Sequence, residues 1–198
     1  MLENITGGDV GMRKNFGAKP WVYPQPVFIV ATYDNEGNPN AMNAAWGGIH
    51  DDDEIFICMG ANHKTSDNLE ARKAFTVSIG DVSHMVECDY VGIESGLKVP
   101  DKFKKAGFTA TKSEFVDAPI INELPMAFEC EVLHYDREAC RLVGKIKNVS
   151  IDERVLTSDD KVDVAKLAPI IFDGVNHTYL QINEKPVGKA FHDGAKLK

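Results

Sequence analysis

The sequence predicts a mainly β protein with inserted short helices, folded as an antiparallel barrel. Two observations point to this fold class. Apolar segments of strand length recur at short intervals over the 198 residues, separated by Gly, Pro, Asn and Asp. Strands and helices also do not alternate regularly, as they would in a parallel sheet. Because closure removes exposed strand edges, we expect the antiparallel strands to form a closed barrel.

Four strands are predicted in the first half of the chain. Residues 26–34 (PVFIVATYD) form a continuous apolar run, which is typical of a strand buried on both faces. The turn NEGNPN follows it, so residues 41–49 should return antiparallel as the second strand. Residues 54–60 and 74–81 are the third and fourth strands.

Three short helices are predicted among these strands. Thr65–Asn68 supplies good N-cap residues, and helix-forming residues follow up to Arg72. A second helix is expected from Ser83 to about Glu94. A third is expected over Pro100–Ala106, with proline in its first turn and Gly107 ending it.

The second half of the chain returns to strands. Residues 126–136 alternate in the manner of a half-buried strand, and residues 140–151 should pair back with them as a hairpin. Residues 178–182 are the last predicted strand. We expect residues 1–20 to form an N-terminal arm and residues 21–198 to form a single domain.

Composition and charge narrow the range of partners and compartments. The net charge of −8 disfavours nucleic acid and anionic membrane, since both are polyanions. No apolar run approaches the roughly 20 residues that span a bilayer. The four cysteines form no C-x-x-C pair, so free thiols in a reducing compartment are expected. These features predict a soluble, cytoplasmic protein without nucleic-acid or membrane partners.

Several common catalytic and binding motifs are absent from the sequence. No two glycines are separated by a single residue, so no G-x-G-x-x-G dinucleotide fingerprint exists, and no G-x-x-x-x-G-K-[ST] phosphate loop occurs. No G-x-S-x-G elbow marks a serine hydrolase. The six histidines include no H-x-x-x-H pair, so no metal site is predicted.

The remaining candidate for a site is the stretch NAMNAAWGGIHDDDEIFICMGANHKTSDNL. Its first part, Asn43–Ala45, has small side chains that would let a flat ligand lie against the main chain, and Trp46 adds an aromatic face. Thr65 and Ser66 near a helix N-terminus, with His63 and Lys64, suit a phosphate monoester. Two simpler interpretations remain open, namely a helix cap without a ligand and a strand with one core tryptophan.

Five segments between Lys19 and Phe191 resemble the flavin reductase-like proteins with an FMN-binding split barrel, specifically the flavoredoxin-like branch. The first segment, KPWVYPQPVFIVATYDNEGNPNAMNAAWGGI, is similar to that family's P-x-P-V strand, turn and Asn/Ala-rich strand. ICMGANHKTSDNLEARKAFTVSI resembles its phosphate-binding strand, cap and helix. The segments GLKVPDKFKKAGFT, APIINELPMAFECEV and HTYLQINEKPVGKAF follow in the same order.

The resemblance implies an antiparallel split β-barrel that forms a homodimer and holds FMN non-covalently near the subunit interface. Three groups of residues would hold the cofactor by motif position: beside the flavin ring, Asn43, Ala44, Ala45 and Trp46; near the ribityl chain, Met59, Gly60 and Ala61; at the phosphate, His63, Lys64, Thr65 and Asn68.

The resemblance also bears on three further residues. The family has a lysine in the region of Lys98 and Lys102, and a cation near the flavin N1 would raise the reduction potential. Flavoredoxin-like relatives often carry histidine where Asn148 aligns. Asparagine can hydrogen-bond a flavin carbonyl but cannot carry a proton near neutral pH.

Three functions are compatible with these features. The first is an FMN-dependent oxidoreductase that passes electrons from NADH, NADPH or a redox partner to an acceptor. The second is an electron carrier without small-molecule turnover, reduced by a protein such as a ferredoxin. The third is a module that binds FMN without a redox role.

Overall fold

The computed structural model describes residues 11–182 and 185–197, and eleven strands run through these residues. The strands are β1 Phe28–Tyr33, β2 Pro39–Ala44, β3 Gly47–Asp51, β4 Glu54–Cys58, β5 Ala74–Ile79, β6 Ala110–Lys112, β7 Pro119–Ile121, β8 Met126–Asp136, β9 Arg141–Ile151, β10 Ile170–Asp173 and β11 Thr178–Gln181. Four short α-helices accompany them: α1 Lys64–Arg72, α2 Met85–Ile93, α3 Lys102–Lys105 and α4 Val164–Leu167.

Seven strands form one curled antiparallel sheet in the order β2-β1-β5-β8-β9-β4-β3. This sheet confirms the predicted mainly β, split-barrel class. The prediction of a closed barrel is wrong, because no ladder pairs the edge strands β2 and β3 within the described ranges. Those edges are linked only through the chain, at Ala45 and Trp46.

The predicted second strand, residues 41–49, is broken at that link. The backbone N–H of Cys58 donates to the Trp46 carbonyl at 2.7 Å, so the chain turns a corner from the β2 edge to the β4 edge. Gly47 then packs against β4, where a Cβ atom would lie 2.6 Å from the Phe56 carbonyl oxygen. Only glycine allows this close approach, and the corner therefore depends on it.

Strand β1 is buried on both faces, as its apolar run predicts. Phe28 and Val30 belong to a cluster inside the sheet, together with Phe75. Ile29 belongs to a second cluster under α2 and α3, which includes Phe103. The sheet therefore has core on both sides of β1, and the site described below lies on the side covered by helices.

Helix α1 begins at Lys64, and its N-cap lies two residues before Thr65, the first of the predicted cap residues. Its N-cap is His63, which makes no side-chain capping bond, so the prediction of an N-cap within Thr65–Asn68 is wrong. Thr65 and Ser66 instead lie buried in the first turn. Helix α3 starts at Lys102 rather than at Pro100 and ends at Lys105, two residues before the predicted stop at Gly107, which has a φ of +82°.

The sequence pattern did not predict β6, β7, β10 or α4, because three or four residues are too few to display a period. Alternation along β8 also predicts that Glu129 faces solvent, yet it is 1% exposed. The register of β8 shifts between Glu129 and Cys130, so two consecutive side chains are buried there.

The chain ends and the helix lengths complete the description. Residues 11–20 of the predicted arm are exposed and have no regular structure, and residues 1–10 lie outside the described residues. Tyr23 donates a hydrogen bond to Asp173, which ties the segment before β1 to the β10–β11 hairpin. Within the described ranges, the helices are too short or too polar to cross a membrane.

Candidate functional site

A pocket of about 180 Å³ lies between β2, the N-terminus of α1 and the loop that follows α2. We call it the α1 pocket. It brings five of the predicted site residues together with three polar residues that were not predicted, Asn40, Glu94 and Ser95. Its polar side chains are Asn40, Asn43, His63, Lys64, Thr65, Glu94, Ser95 and Lys102.

The floor of the α1 pocket is a buried pair of polar side chains. Asn40 Nδ2 donates to Thr65 Oγ1 at 2.8 Å, and the two residues are 5% and 1% exposed. Asn40 Oδ1 is buried without a partner among the described residues. A hydroxyl can donate as well as accept, so this pair can also form with the amide nitrogen of Asn40 directed at a ligand. A buried polar atom left unpaired is the feature that a bound polar group would satisfy.

Lys102 supplies a buried cation on the opposite wall. It is 3% exposed, and its Nζ donates to the carbonyls of Val91 and Glu94, each at 2.8 Å. Desolvation lowers the pKa of Lys102 to about 8, against the opposing effect of the Glu94 charge. An ammonium group has three N–H donors, so one remains for an anion in the pocket.

His63 and Lys64 lie next to each other on the α1 side of this pocket, and Lys64 carries its second positive charge. Burial, and secondarily the charge of Lys102, lower the pKa of His63, so its imidazole is neutral at pH 7. The ring lies over Gly60, where a Cβ atom would come within 3.1 Å of Nε2. Lys64 is partly exposed, with Nζ 3.7 Å from Asp34 Oδ2. Its charge is therefore only loosely paired.

The loop before α1 is held by an arginine that the sequence did not single out. Arg137, in the turn between β8 and β9, donates to the Ala61 carbonyl through Nε at 2.9 Å and Nη2 at 2.6 Å. It also contacts Asp67 and Glu70 on α1, at 2.6 and 2.8 Å. These bonds fix the path of the chain from Gly60 into α1.

Replacing Arg137 with glutamine is expected to lower the midpoint of chemical denaturation, since two helix carboxylates and a carbonyl lose their donor. The matched control is Arg154→Gln, because the Arg154 side chain is 80% exposed and, among the described residues, pairs with nearby Asp152. That control should leave the denaturation midpoint close to that of the natural chain, because an exposed ion pair contributes little. Chemical denaturation of both variants measures the difference, and equal losses would contradict a special role for Arg137.

Two predicted residues, Ala45 and Trp46, line a different pocket. This cavity of about 460 Å³ lies between the segment before β1 and strand β3. Trp46 is 52% exposed there, so its ring is available to a ligand or to another surface. The predicted site residues therefore line two separate cavities, one on either side of β2.

Other predicted residues have side chains committed elsewhere. Ala44 and Met59 are buried in the core cluster inside the sheet. Asn68 Nδ2 donates to Thr32 Oγ1 at 2.9 Å, and Asn148 Nδ2 donates to the buried Glu129 at 2.7 Å. Lys98 is exposed. None of these five lines the α1 pocket, although the main chain at Met59–Ala61 adjoins it through His63.

Asn43 has its amide engaged by α2 and by the last hairpin. Its Nδ2 donates to the Cys88 carbonyl at 3.1 Å and reaches Tyr179 Oη at 3.5 Å. Tyr179 in turn donates to Asp89 Oδ1 at 2.7 Å. Burial and the Asp89 carboxylate raise the pKa of Tyr179, so it remains a neutral donor. This network joins β2, α2 and β11 behind the pocket.

The chain is similar to known proteins over most of its length. The family model described as the flavin reductase like domain matches residues 21–169. Flavoredoxin of Desulfovibrio vulgaris (Miyazaki F) is 37% identical, with a TM-score of 0.87 over 92% of this chain and 100% of that chain.

Two further solved structures share the fold at lower identity. Flavoredoxin from Methanosarcina acetivorans is 22% identical, with a TM-score of 0.85 over 95% of this chain and 100% of that chain. An FMN-binding protein from Thermus thermophilus with bound 1-cyclohex-2-enone is 18% identical, with a TM-score of 0.73 over 90% of this chain and 100% of that chain.

Proposed function

The chain belongs to the flavin reductase-like family, in its flavoredoxin branch, and from that premise we propose that it binds FMN non-covalently and acts as an oxidoreductase. The observation that carries the proposal is the α1 pocket, where Thr65, Lys64, His63 and Lys102 converge on one helix N-terminus. When bound, FMN supplies the redox chemistry by accepting electrons from a donor and passing them to an acceptor.

The donor set of the α1 pocket fits a phosphate monoester. The N–H groups at the very start of α1 precede that of Ser66, which donates to the His63 carbonyl at 3.0 Å, and the helix dipole favours an anion beside them. Lys64 and Lys102 would offset a phosphate charge of about −1.5 to −2. We therefore assign Lys102 to the phosphate rather than to the flavin N1.

The flavin ring would lie outside the α1 pocket, away from the phosphate. Ala45 and Trp46 would lie beside it on the far side of β2, and the main chain at Gly60 and Ala61 would lie along the ribityl chain. Trp46 and Ile49 line the same cavity and are 52% and 65% exposed, so two large apolar side chains lie uncovered side by side. A second copy of the chain would cover this surface, so we propose a homodimer with the ring near its interface.

One experiment tests the cofactor directly. We expect the purified protein, or the apo-protein after addition of FMN, to show flavin absorbance, and mass spectrometry of the released chromophore to identify FMN. Light scattering should give twice the chain mass of 21.8 kDa. A colourless protein that remains so after FMN addition would contradict both redox functions, whereas a flavoprotein without electron transfer would support the binding-module alternative.

A second candidate function is an electron carrier without small-molecule turnover, favoured by the 37% identity to a flavoredoxin. Anaerobic titration separates it from a reductase. Bleaching of the flavin by NADH or NADPH supports the reductase. Bleaching only by a reduced redox protein such as a ferredoxin supports the carrier, in which case the acidic surface would suit a basic partner.

A further inference from the structure

The side-chain amide of Asn43 is held in one orientation by α2 and β11. Its Nδ2 donates to the Cys88 carbonyl at 3.1 Å and to Tyr179 Oη at 3.5 Å. A carbonyl oxygen only accepts hydrogen bonds, so the nitrogen of the amide, and not its oxygen, must face α2. The amide oxygen therefore points away from Cys88 and Tyr179.

Asp89 fixes the direction of the bond between Tyr179 and Asn43. Tyr179 donates its hydroxyl proton to Asp89 Oδ1 at 2.7 Å. Burial, and then the Asp89 carboxylate, raise the pKa of Tyr179, so the phenol stays protonated. An ionised carboxylate has no proton to donate, so the Tyr179 oxygen offers a lone pair to Asn43. Both groups that hold the amide on this side are therefore acceptors.

Close packing leaves Asn43 little freedom to turn. A Cβ atom on Gly92 would lie 2.9 Å from Asn43 Cβ and 3.8 Å from Nδ2, so glycine lets α2 lie directly against β2. The ring of Tyr179 packs on the core cluster under α2 and α3, which fixes the position of its hydroxyl. The Asn43 amide is therefore oriented before a ligand binds.

The oxygen of the Asn43 amide is the acceptor that this arrangement leaves for the α1 pocket. Asn43 lines the pocket and is partly exposed, and no described residue donates to its Oδ1. Asn43 lies three residues along β2 from Asn40, which is about 10 Å, and Asn40 bonds to Thr65 at the proposed phosphate position. A phosphate oxygen beside Asn43 would face an acceptor, whereas a hydroxyl would donate to it. The partner of Asn43 should therefore be a hydroxyl on the part of the ligand that follows the phosphate.

We propose that Asn43 accepts a hydrogen bond from a ribityl hydroxyl of the flavin, and that Tyr179 is a positioning residue that holds Asn43 for this contact. The inference rests on the proposed function, since that function places the cofactor phosphate beside Thr65. It adds recognition of the polyol chain to recognition of the phosphate and the ring. Such a site selects against flavins whose chain lacks the hydroxyl, because the amide oxygen then has no donor.

The test uses apo-protein, FMN and three FMN analogues that each lack one ribityl hydroxyl, with affinities measured by quenching of flavin fluorescence. We expect the natural chain to bind one analogue about three- to tenfold more weakly than FMN, which is the usual effect of one neutral hydrogen bond. Equal affinities for FMN and all three analogues would overturn the proposal. This comparison uses the natural chain alone and so does not depend on the folding of a variant.

Two variants assign the effect to Asn43 and Tyr179. Asn43→Ala removes the acceptor, so the difference between FMN and the sensitive analogue should disappear. Tyr179→Phe removes one of the two groups that hold the amide and should reduce the difference to about twofold or less. The matched control is Tyr90→Phe, because Tyr90 packs on the same core cluster and its hydroxyl bonds to no described residue. That control should retain the full difference.

The ratio of the two affinities separates a ligand contact from a purely structural role, which would weaken FMN and the analogue alike. If FMN binds but the ratio is unchanged in Asn43→Ala or in Tyr179→Phe, the assigned contact is wrong and the proposed function stands. If the natural chain binds neither FMN nor riboflavin, the proposed function is wrong and the contact at Asn43 falls with it.

Discussion

Replacing Thr65 with alanine is expected to weaken FMN binding by about 10- to 100-fold. Thr65 is 1% exposed, and its hydroxyl is the only partner found for the amide of Asn40 among the described residues. Alanine removes a direct donor to the phosphate and leaves both ends of a buried amide unpaired. Losing a hydrogen bond to a charged group costs about 1.5–3 kcal/mol, which gives the expected range.

Riboflavin separates a phosphate contact from a purely structural role of Thr65. It has the same ring and ribityl chain as FMN but no phosphate, so Thr65→Ala should leave riboflavin affinity unchanged while FMN affinity falls. Thr65→Ser keeps the hydroxyl and should bind FMN within about threefold of the natural chain. Equal losses for FMN and riboflavin would show that Thr65 only supports the fold.

Features that depend on neighbouring residues in the chain were predictable from the sequence. The sequence predicts burial of β1 on both faces because residues 27–31 are all apolar, whatever the sheet does around them. His63, Lys64 and Thr65 were identified because caps and cations near a helix start are local chemistry. The structure brings all three to one pocket, together with Asn43 and Lys102.

The unpredicted features depend on contacts between distant parts of the chain. Asn40 looks like an ordinary turn residue, and its role arises only because β2 passes beside α1, 25 residues later in the chain. Arg137 lies in a charged turn that resembles a solvated loop, yet it crosses to Ala61, 76 residues away. The break at Ala45 and Trp46 follows from the curl of the sheet, which no local pattern encodes.

Lys102 illustrates the same limit within one short segment. The sequence offered Lys98 and Lys102 as equal candidates in a basic stretch. The structure distinguishes them, because Phe103 anchors α3 in the core and Lys102 turns inward with it, to 3% exposure. Burial of a lysine without a carboxylate partner is costly unless its donors are satisfied. Two backbone carbonyls accept hydrogen bonds from the Lys102 ammonium group. An anion in the α1 pocket would accept the third.

Replacing Lys102 with glutamine is expected to weaken FMN binding about 100-fold at pH 7 and to remove its dependence on pH above 7.5. Glutamine keeps an N–H donor for the Val91 and Glu94 carbonyls but carries no charge. A buried charged contact to phosphate is worth about 1.5–3 kcal/mol. Lys105→Gln is the control, since Lys105 is exposed and Asp101 raises its pKa out of the same range.

The pH profile identifies Lys102 because its pKa is about 8 in the free protein. Bound phosphate favours the charged ammonium and raises that pKa, so FMN affinity should be constant below pH 7.5 and fall by up to about tenfold per pH unit above 8. Neutral His63 does not titrate in this window, because its pKa is lowered below 6.5. The FMN phosphate is already a dianion there, since its second pKa is about 6.

Stability of the apo-protein should change in the opposite direction. The pKa of Lys102 falls from 10.5 in the unfolded chain to about 8 in the folded chain, so between these values the unfolded state binds more protons. This group therefore makes folding more favourable as the pH rises from 8 to 10.5. Between pH 8 and 10.5 the natural chain should lose affinity for FMN while Lys102 contributes more to its stability. Lys102→Gln should remove both of these pH dependences. If the affinity slope persists in Lys102→Gln, another group holds the phosphate and the assignment of Lys102 is wrong.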